Sequence, residues 1–232
     1  MIAREGFGPI LTGLAVTIVL MLLSAWLENG VLSVFAFVAA LLTLFIVFFF
    51  RDPERRCNRQ PGLLVSPADG RILDVERIPH HDFIGGEASK VSIFLSIFDV
   101  HVNRIPVDGS VEYVKYRPGK FFRAFLDKAS EENEQTEIGI ITDSGQRLVV
   151  KQIAGLIARR IVCRLSEGDR VDTGARFGMI RFGSRTELLL PADAEVSVKK
   201  GEHVKGGETV IGYLTTAAAE LEDSSQAENV EL

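Results

Sequence analysis

The sequence has few of the residues that hold small disulfide-rich folds or metal centres together. Only two of its 232 residues are cysteines, Cys57 and Cys163, and they lie far apart. A disulfide framework needs more cysteines in a shorter chain, and a zinc site needs closely spaced ligands. His80 and His81 are adjacent, but no further ligands surround them in the sequence, so we interpret them as a solvated turn. We therefore expect two unpaired thiols, a reducing compartment and no metal.

The chain also lacks an excess of positive charge. It has 26 basic and 31 acidic residues, and the formal charge is −5. The imbalance lies in residues 217–232, which contain five acids and no base, so the rest of the chain is neutral overall. No basic face indicates binding to nucleic acid. We predict that residues 217–232 form a disordered acidic tail.

Apolar residues, in contrast, are abundant near the N-terminus. Two runs, from Pro9 to Leu27 and from Val31 to Phe50, contain no charged residue. Each is close to the roughly 20 residues that a helix needs to cross a membrane. The connection Glu28-Asn29-Gly30 is typical of a turn. A signal peptide is a weaker interpretation, because no small-residue cleavage site follows the first run. Residues 1–50 are therefore predicted to form a membrane-anchoring helical hairpin.

Basic residues flank the two runs at their outer ends. Arg4 precedes the first run, and Arg51, Arg55, Arg56 and Arg59 follow the second. Cytoplasmic flanks of membrane helices are enriched in Lys and Arg. We therefore expect the chain at the inner (cell) membrane with its soluble body facing the cytoplasm. A hairpin embedded in a single leaflet is the alternative, and it also holds the body at a lipid surface.

The remainder is typical of a β protein. Short apolar segments that alternate with polar residues are separated by Gly, Asp and Pro, a spacing that indicates a sandwich or barrel. The segments are Gly70–Val75, Lys90–Leu95, Ser110–Val114 and Arg147–Lys151. Residues 119–133 are the exception, and we interpret them as a short helix or an apolar loop. One hypothesis is that Phe121, Phe122 and Phe125 enter the lipid interface, and a buried aromatic cluster is the alternative.

A pattern of turns and strands occurs twice in the C-terminal third. Glu167-Gly168-Asp169-Arg170-Val171 and Lys200-Gly201-Glu202-His203-Val204 each precede a second glycine turn and a strand. This resembles the flattened β-sandwich of biotinyl and lipoyl carrier domains, although no lysine occupies a hairpin tip. We therefore predict a mostly β fold, in which residues 51–216 form a lipoyl/biotinyl-like β-sandwich body behind the N-terminal pair of membrane helices. His203, in a glycine-rich turn, is given no catalytic role.

Three short stretches carry side chains suited to catalysis. Ser66-Pro67-Ala68-Asp69-Gly70 places an acid in a tight turn. The stretch Phe98–Pro106 contains His101, whose imidazole is suited to proton transfer near neutral pH. Arg181-Phe182-Gly183-Ser184-Arg185 places a Gly-Ser pair between two apolar strands. Each stretch by itself has an ordinary structural explanation.

Together, and in this order, the stretches resemble the phosphatidylserine decarboxylase family. Phe50-Arg51-Asp52-Pro53 adds to the likeness, which extends from about Phe50 to Gly212 and is greatest to the short form of the family. Longer members have Leu-Gly-Ser-Thr where this chain has Phe182-Gly183-Ser184-Arg185. They also have a second histidine where this chain has Arg104, which leaves the division of proton-transfer roles open.

The resemblance implies a proenzyme that cleaves itself between Gly183 and Ser184 and converts Ser184 into a covalent pyruvoyl group. In this interpretation His101 is the base that activates the Ser184 hydroxyl. Asp69 is the carboxylate that orients His101, and Asp99 is the alternative. The pyruvoyl group forms a Schiff base with the substrate and acts as the electron sink, so no metal or diffusible cofactor is implied.

The implied function is decarboxylation of phosphatidylserine to phosphatidylethanolamine at a membrane. The expected partners are the lipid substrate, membrane lipid and the α and β chains of the same proenzyme, and a homo-oligomer is a further option. One alternative is a decarboxylase of a related serine ether lipid. Another is a membrane-anchored lipoyl-like adaptor protein without catalysis. A serine hydrolase is disfavoured, because Gly183-Ser184 lacks the Gly-x-Ser-x-Gly setting.

Overall fold

A computed structural model describes residues 1–119, 132–155, 160–181 and 183–215 of the chain. The chain divides into two compact units, Met1–Glu54 and Arg55–Leu232. In the described residues the first unit is helical and the second is built of β-strands. The predicted acidic tail and the phenylalanines of the proposed lipid-contacting segment lie outside the described residues.

The first unit is a pair of apolar helices. A short 3-10 turn, Arg4–Gly6, leads into α1 (Phe7–Leu27), and α2 follows at Gly30–Phe49. The most apolar 18-residue windows of the two helical segments have mean hydropathies of 2.3 and 2.9. By length and composition each can cross a membrane, and this confirms the predicted N-terminal pair.

The turn between the helices is built by two residues. Glu28 adopts the left-handed conformation, with φ at 48°. Asn29 caps α2, because its side-chain oxygen accepts hydrogen bonds from the backbone N–H groups of Val31 (2.9 Å) and Leu32 (3.3 Å). These contacts satisfy backbone donors that the first turn of a helix otherwise leaves unpaired.

Polar pairs join the two helices inside an otherwise apolar hairpin. The hydroxyls of Ser24 and Ser33 are 2.6 Å apart, and those of Thr17 and Thr43 are 3.3 Å apart. Hydroxyl pairs of this kind favour helix association where lipid surrounds the helices.

The second unit contains fourteen strands in three antiparallel sheets within the described residues. Sheet order is β1-β14-β12 in the first, β4-β10-β8 in the second and β13-β2-β3-β11-β7-β6-β5-β9 in the third. The strands are β1 (Leu63–Val65), β2 (Gly70–His81), β3 (Gly86–Leu95), β4 (Val102–Arg104), β5 (Gly109–Arg117), β6 (Gln135–Thr142), β7 (Arg147–Ile153), β8 (Ile161–Cys163), β9 (Arg170–Val171), β10 (Arg176–Ile180), β11 (Ser184–Pro191), β12 (Glu195–Val196), β13 (His203–Val204) and β14 (Val210–Tyr213).

Strand β11 occupies the middle of the largest sheet. It pairs with β3 from Ser184 opposite Leu95 to Pro191 opposite Ala88, and β7 pairs along its other edge. Alternate side chains of β11, including Leu188 and Leu190, point into the main apolar core. The strand that begins at Ser184 is therefore held on both edges and packed on one face.

The mostly β prediction is confirmed, and the repeated turn-and-strand pattern is present. The first copy forms β9 and β10, and the second forms β13 and β14. Gly168 and Gly201 lie at equivalent places and have φ values of 87° and 90°, a conformation that favours glycine.

The prediction of a solvated turn at His80 and His81 is wrong, because both residues belong to β2. The strand continues there because β3 pairs with it as far as Gly86 opposite His81.

Candidate active site

Ser184 lies where the chain bends into β11. Gly183 precedes it in a bend with φ at 58°, and a Cβ built on Gly183 would have no atom within 4 Å. The Ser184 side chain is completely buried, and its hydroxyl has no hydrogen-bond partner among the described residues. Buried hydroxyls are normally hydrogen-bonded, so an unsatisfied one calls for a functional explanation. The predicted Gly-Ser junction between two strands is present, because β10 ends at Ile180.

His101 is completely buried in the loop between β3 and β4. Its Nδ1 lies 3.0 Å from the backbone oxygen of Asp99. A carbonyl oxygen can only accept, so Nδ1 carries the proton and Nε2 keeps its lone pair when the ring is neutral. In that state Nε2 is the ring atom that can accept a proton.

Backbone contacts bring the loop of His101 beside the segment that ends at Ser184. The N–H of Ile180 donates to the backbone oxygen of His101 at 3.4 Å. Ser184 lies opposite Leu95, the last residue of β3 before that loop. The two ends of the segment 180–184 are therefore both attached to the chain that carries His101.

Asp69 is buried, and each of its carboxylate oxygens has a donor. Oδ2 lies 2.8 Å from Nη2 of Arg55, and Oδ1 accepts from the N–H of Gly206 at 2.8 Å. Arg55 also pairs with Glu208 at 2.9 Å. Charge-assisted hydrogen bonds of this kind stabilise the ionised carboxylate. Arg55 was predicted only as a membrane flank, and its spacing from Asp69 in the sequence does not indicate this contact.

Asn103 joins the three stretches that the sequence singles out. Its amide nitrogen lies 3.2 Å from the hydroxyl of Thr186 and 3.5 Å from the backbone oxygen of Pro67, and its oxygen accepts from Gln152 at 2.9 Å. The N–H of Arg104 donates to the same Pro67 oxygen at 2.9 Å. The turn that carries Asp69, the strand after His101 and the strand of Ser184 therefore meet at one buried amide. In the sequence, the only signal for this role of Asn103 is its position two residues after His101.

Asp99 contacts His203, for which the sequence indicates no catalytic role. One carboxylate oxygen of Asp99 accepts from the N–H and the hydroxyl of Ser96, at 2.8 and 2.7 Å. The other lies 3.1 Å from Nε2 of His203. His203 lies in β13, and no sequence pattern signals its contact with Asp99.

Two of the departures from the longer family members, Arg104 and Arg185, are buried arginines. Arg104 donates from Nη1 to the backbone oxygen of Gly174 at 3.0 Å. Arg185 forms an ion pair with Glu187 at 2.8 Å and donates to the Ser92 hydroxyl at 2.8 Å. Because side chains alternate along a strand, Arg185 lies on the face of β11 opposite to Ser184.

Comparisons with known proteins identify the family. The family model described as phosphatidylserine decarboxylase matches residues 42–212. This chain belongs to the phosphatidylserine decarboxylase family. The matched range contains all three stretches, including the Gly183-Ser184 junction, and it indicates a decarboxylase.

Individual relatives support the assignment over nearly the whole chain. A protein from Symbiobacterium thermophilum is 52% identical over 92% of this chain and 95% of its own length. Proteins from Carboxydothermus hydrogenoformans and Desulfotalea psychrophila are 51% and 46% identical, over 91% and 92% of this chain and 95% and 96% of their own lengths. All three are named phosphatidylserine decarboxylase proenzyme, a name that implies processing.

Proposed function

We propose that this protein cleaves itself between Gly183 and Ser184, and that it decarboxylates phosphatidylserine to phosphatidylethanolamine with a pyruvoyl group made from Ser184. The observation that carries the proposal is the buried Ser184 hydroxyl, which has no hydrogen-bond partner among the described residues and follows a glycine with positive φ. The relatives are named phosphatidylserine decarboxylase proenzyme, which supports both the substrate and the processing of a precursor.

Self-cleavage begins with the attack of Ser184 Oγ on the carbonyl carbon of Gly183. A hydroxyl is a weak nucleophile until a base takes its proton, and His101 Nε2 is the proposed acceptor. The bond from Nδ1 to the Asp99 carbonyl leaves Nε2 free of its proton at the start. The C–N bond between the two residues then breaks, the nitrogen takes up a proton, and an ester replaces the amide.

The ester is resolved by elimination. Loss of the Cα proton of residue 184 and cleavage of its Cβ–O bond release Gly183 as a carboxylate and leave dehydroalanine. Addition of water and loss of ammonia then give the pyruvoyl end group. The products are residues 1–183 and a 49-residue chain from position 184 to 232.

Asp69 is proposed to provide the negative charge that stabilises His101 after it has accepted the proton. Its support is burial together with the two donors, Arg55 and the N–H of Gly206, that contact its carboxylate oxygens. Asp99 is the alternative through its carboxylate, although its backbone carbonyl is the atom that lies against Nδ1.

The residues present fit a pyruvoyl group, because Ser184 supplies its carbon atoms and lies at the start of a buried strand. When formed, this group supplies the electron sink for loss of CO2, so no diffusible cofactor is required. In the described residues no group of three or more His, Cys, Asp or Glu is placed to hold a metal ion.

Intact mass spectrometry of the purified full-length chain tests the proposal. We expect two pieces, and the smaller should be lighter by one ammonia than a peptide that begins with Ser184. Ser184→Ala should give one uncut, inactive chain, whereas Ser166→Ala, a change at an exposed turn, should be cut normally. Lipid decarboxylation by the uncut Ser184→Ala chain would contradict the proposal.

The choice of lipid substrate can be tested directly. Assays with phosphatidylserine and with a serine ether lipid distinguish the proposed substrate from its alternative, and the names of the relatives favour phosphatidylserine.

The body is proposed to face the cytoplasm, because Arg51 and the arginines after it flank α2. Protease should therefore digest the body in inside-out membrane vesicles and spare it in right-side-out vesicles.

A further inference from the structure

We propose that His203 is a positioning residue for His101 and that it acts through Asp99. The inference rests on the proposed function, because it assigns a residue to the same self-cleavage reaction. Asp99 contacts three residues, Ser96, His203 and His101.

Asp99 is attached by both its side chain and its backbone. One carboxylate oxygen is held by Ser96, through the N–H at 2.8 Å and the hydroxyl at 2.7 Å. The other carboxylate oxygen lies 3.1 Å from His203 Nε2. The backbone oxygen of the same residue lies 3.0 Å from Nδ1 of His101. The position of this carbonyl, and with it the tilt of the imidazole, therefore depends on how firmly the Asp99 side chain is held.

Ser96 and His203 hold Asp99 in different ways. Ser96 directly follows the last residue of β3, so its two bonds fix the turn at the start of the loop. His203 lies in β13, which pairs with β2 through Arg71 and Gly70. Its contact ties the loop to a second strand of the large sheet, which is distant in the sequence. The Asp99 carboxylate is 12% exposed and the His203 ring 57% exposed, so the contact reaches from the surface towards the buried His101.

The contact also spans the two products of the proposed cleavage. Asp99 and His101 belong to residues 1–183, whereas His203 belongs to the chain that begins at position 184. His203 would therefore orient His101 both before the bond is cut and afterwards, when the two residues belong to different chains. His203 touches neither the scissile bond nor the base itself in this scheme.

Three substitutions at His203 separate positioning from general stability. Gln has its amide nitrogen the same number of bonds from Cα as Nε2 of His, whereas the amide nitrogen of Asn is one bond shorter. His203→Ala and His203→Asn should slow self-cleavage by about threefold to fivefold, the scale of a lost, partly exposed hydrogen bond. His203→Gln should restore the rate. Cleavage is followed on freshly synthesised full-length chain by gel and intact mass, and the thermal midpoint of each variant is recorded.

His80→Ala is the matched control, because His80 pairs with Asp82 at 3.3 Å on the exposed end of β2. It should leave the cleavage rate unchanged. Equal rates for wild type, His203→Ala and His203→Asn would overturn the inference and leave the proposed function intact. Failure of Gln to rescue, with all thermal midpoints alike, would also overturn it. A wild-type chain that is never cut would overturn both proposals.

Discussion

The side-chain amide of Asn103 donates a hydrogen bond of 3.2 Å to the hydroxyl of Thr186. Asn103 lies two residues after His101, and Thr186 lies two residues after Ser184. All four side chains are completely buried. One hydrogen bond therefore connects the strand that follows the proposed base with the strand that begins at the proposed nucleophile.

The first prediction concerns this bond. Asn103→Leu keeps the approximate size and shape of the side chain but removes its amide nitrogen and oxygen, whereas Asp would still accept a hydrogen bond from the Thr186 hydroxyl. We expect about 2 kcal/mol of lost stability, because a buried partner is left unsatisfied. Self-cleavage should slow at least about tenfold, because the relative position of the two strands is relaxed. Asn58→Leu, at an exposed position, is the control. A normal cleavage rate in Asn103→Leu would show that the bond does not position the site.

The second prediction concerns the backbone at the cleavage site. Gly183 and Gly145 both have positive φ, 58° and 82°, and a Cβ on either would meet no atom within 4 Å. Alanine should therefore cost about 1 kcal/mol at each position through backbone strain alone. Only Gly183→Ala should slow self-cleavage, because it shifts the carbonyl that Ser184 attacks. Cleavage time courses and thermal midpoints of the two variants check this. Equal cleavage rates would exclude a special role for the bend.

The third prediction concerns Arg55. Its side chain and that of Asp69 are each 10% exposed, so Arg55→Met leaves a buried carboxylate without its cation. We expect a loss of about 3 kcal/mol in the free energy of unfolding. Arg77→Met should lose less than about 1 kcal/mol, because its 3.6 Å pair with Glu87 is exposed. Chemical denaturation of the detergent-solubilised chain measures both. A loss as small for Arg55 as for Arg77 would show that the buried pair is not stabilising.

The fourth prediction concerns a polar cluster on the large sheet. The hydroxyl of Tyr113 donates to Glu137 at 2.6 Å, and Lys151 lies 3.0 Å from the same carboxylate. Burial by itself would raise the pKa of Glu137, but the Tyr113 hydrogen bond and the Lys151 charge outweigh it and lower that pKa. A carboxyl with a lowered pKa stabilises the fold above its ordinary pKa, and the stabilisation disappears as pH falls through the folded value.

Tyr113→Phe should therefore reduce stability by about 1 kcal/mol near pH 7. The deficit should shrink as the pH falls below the ordinary pKa of Glu137, 4.5. Denaturation curves collected across acidic pH measure this. In a Glu137→Gln background the substitution should have no pH-dependent effect in this range. A deficit that is constant with pH would show that Tyr113 does not act through the ionised carboxylate.

Local patterns in the sequence predicted a large part of the fold. The uncharged runs predicted both helices, because hydrophobic length is a property of consecutive residues. The alternating segments predicted β3, β5 and β7, and the glycine turns predicted the repeated pairs of strands. The extent of β2 was underestimated, because its far end is stabilised by pairing with β3 rather than by its own composition.

The candidate site was predicted in its residues but not in its contacts. Ser184, His101 and Asp69 were all selected from their motifs, and their catalytic roles remain predictions. No motif indicates the roles of their partners, because each partner contacts a residue that is distant in the sequence or belongs to another strand. These partners are Arg55, Asn103 and His203.

The sequence by itself determined where the apolar helices and strands lie and where a glycine precedes a serine, because these depend on neighbouring residues. Only the tertiary structure decided that Arg55 meets Asp69, that Asn103 meets Thr186 and that His203 meets Asp99. The physical reason is that strand order and register, which no local pattern encodes, bring these side chains together.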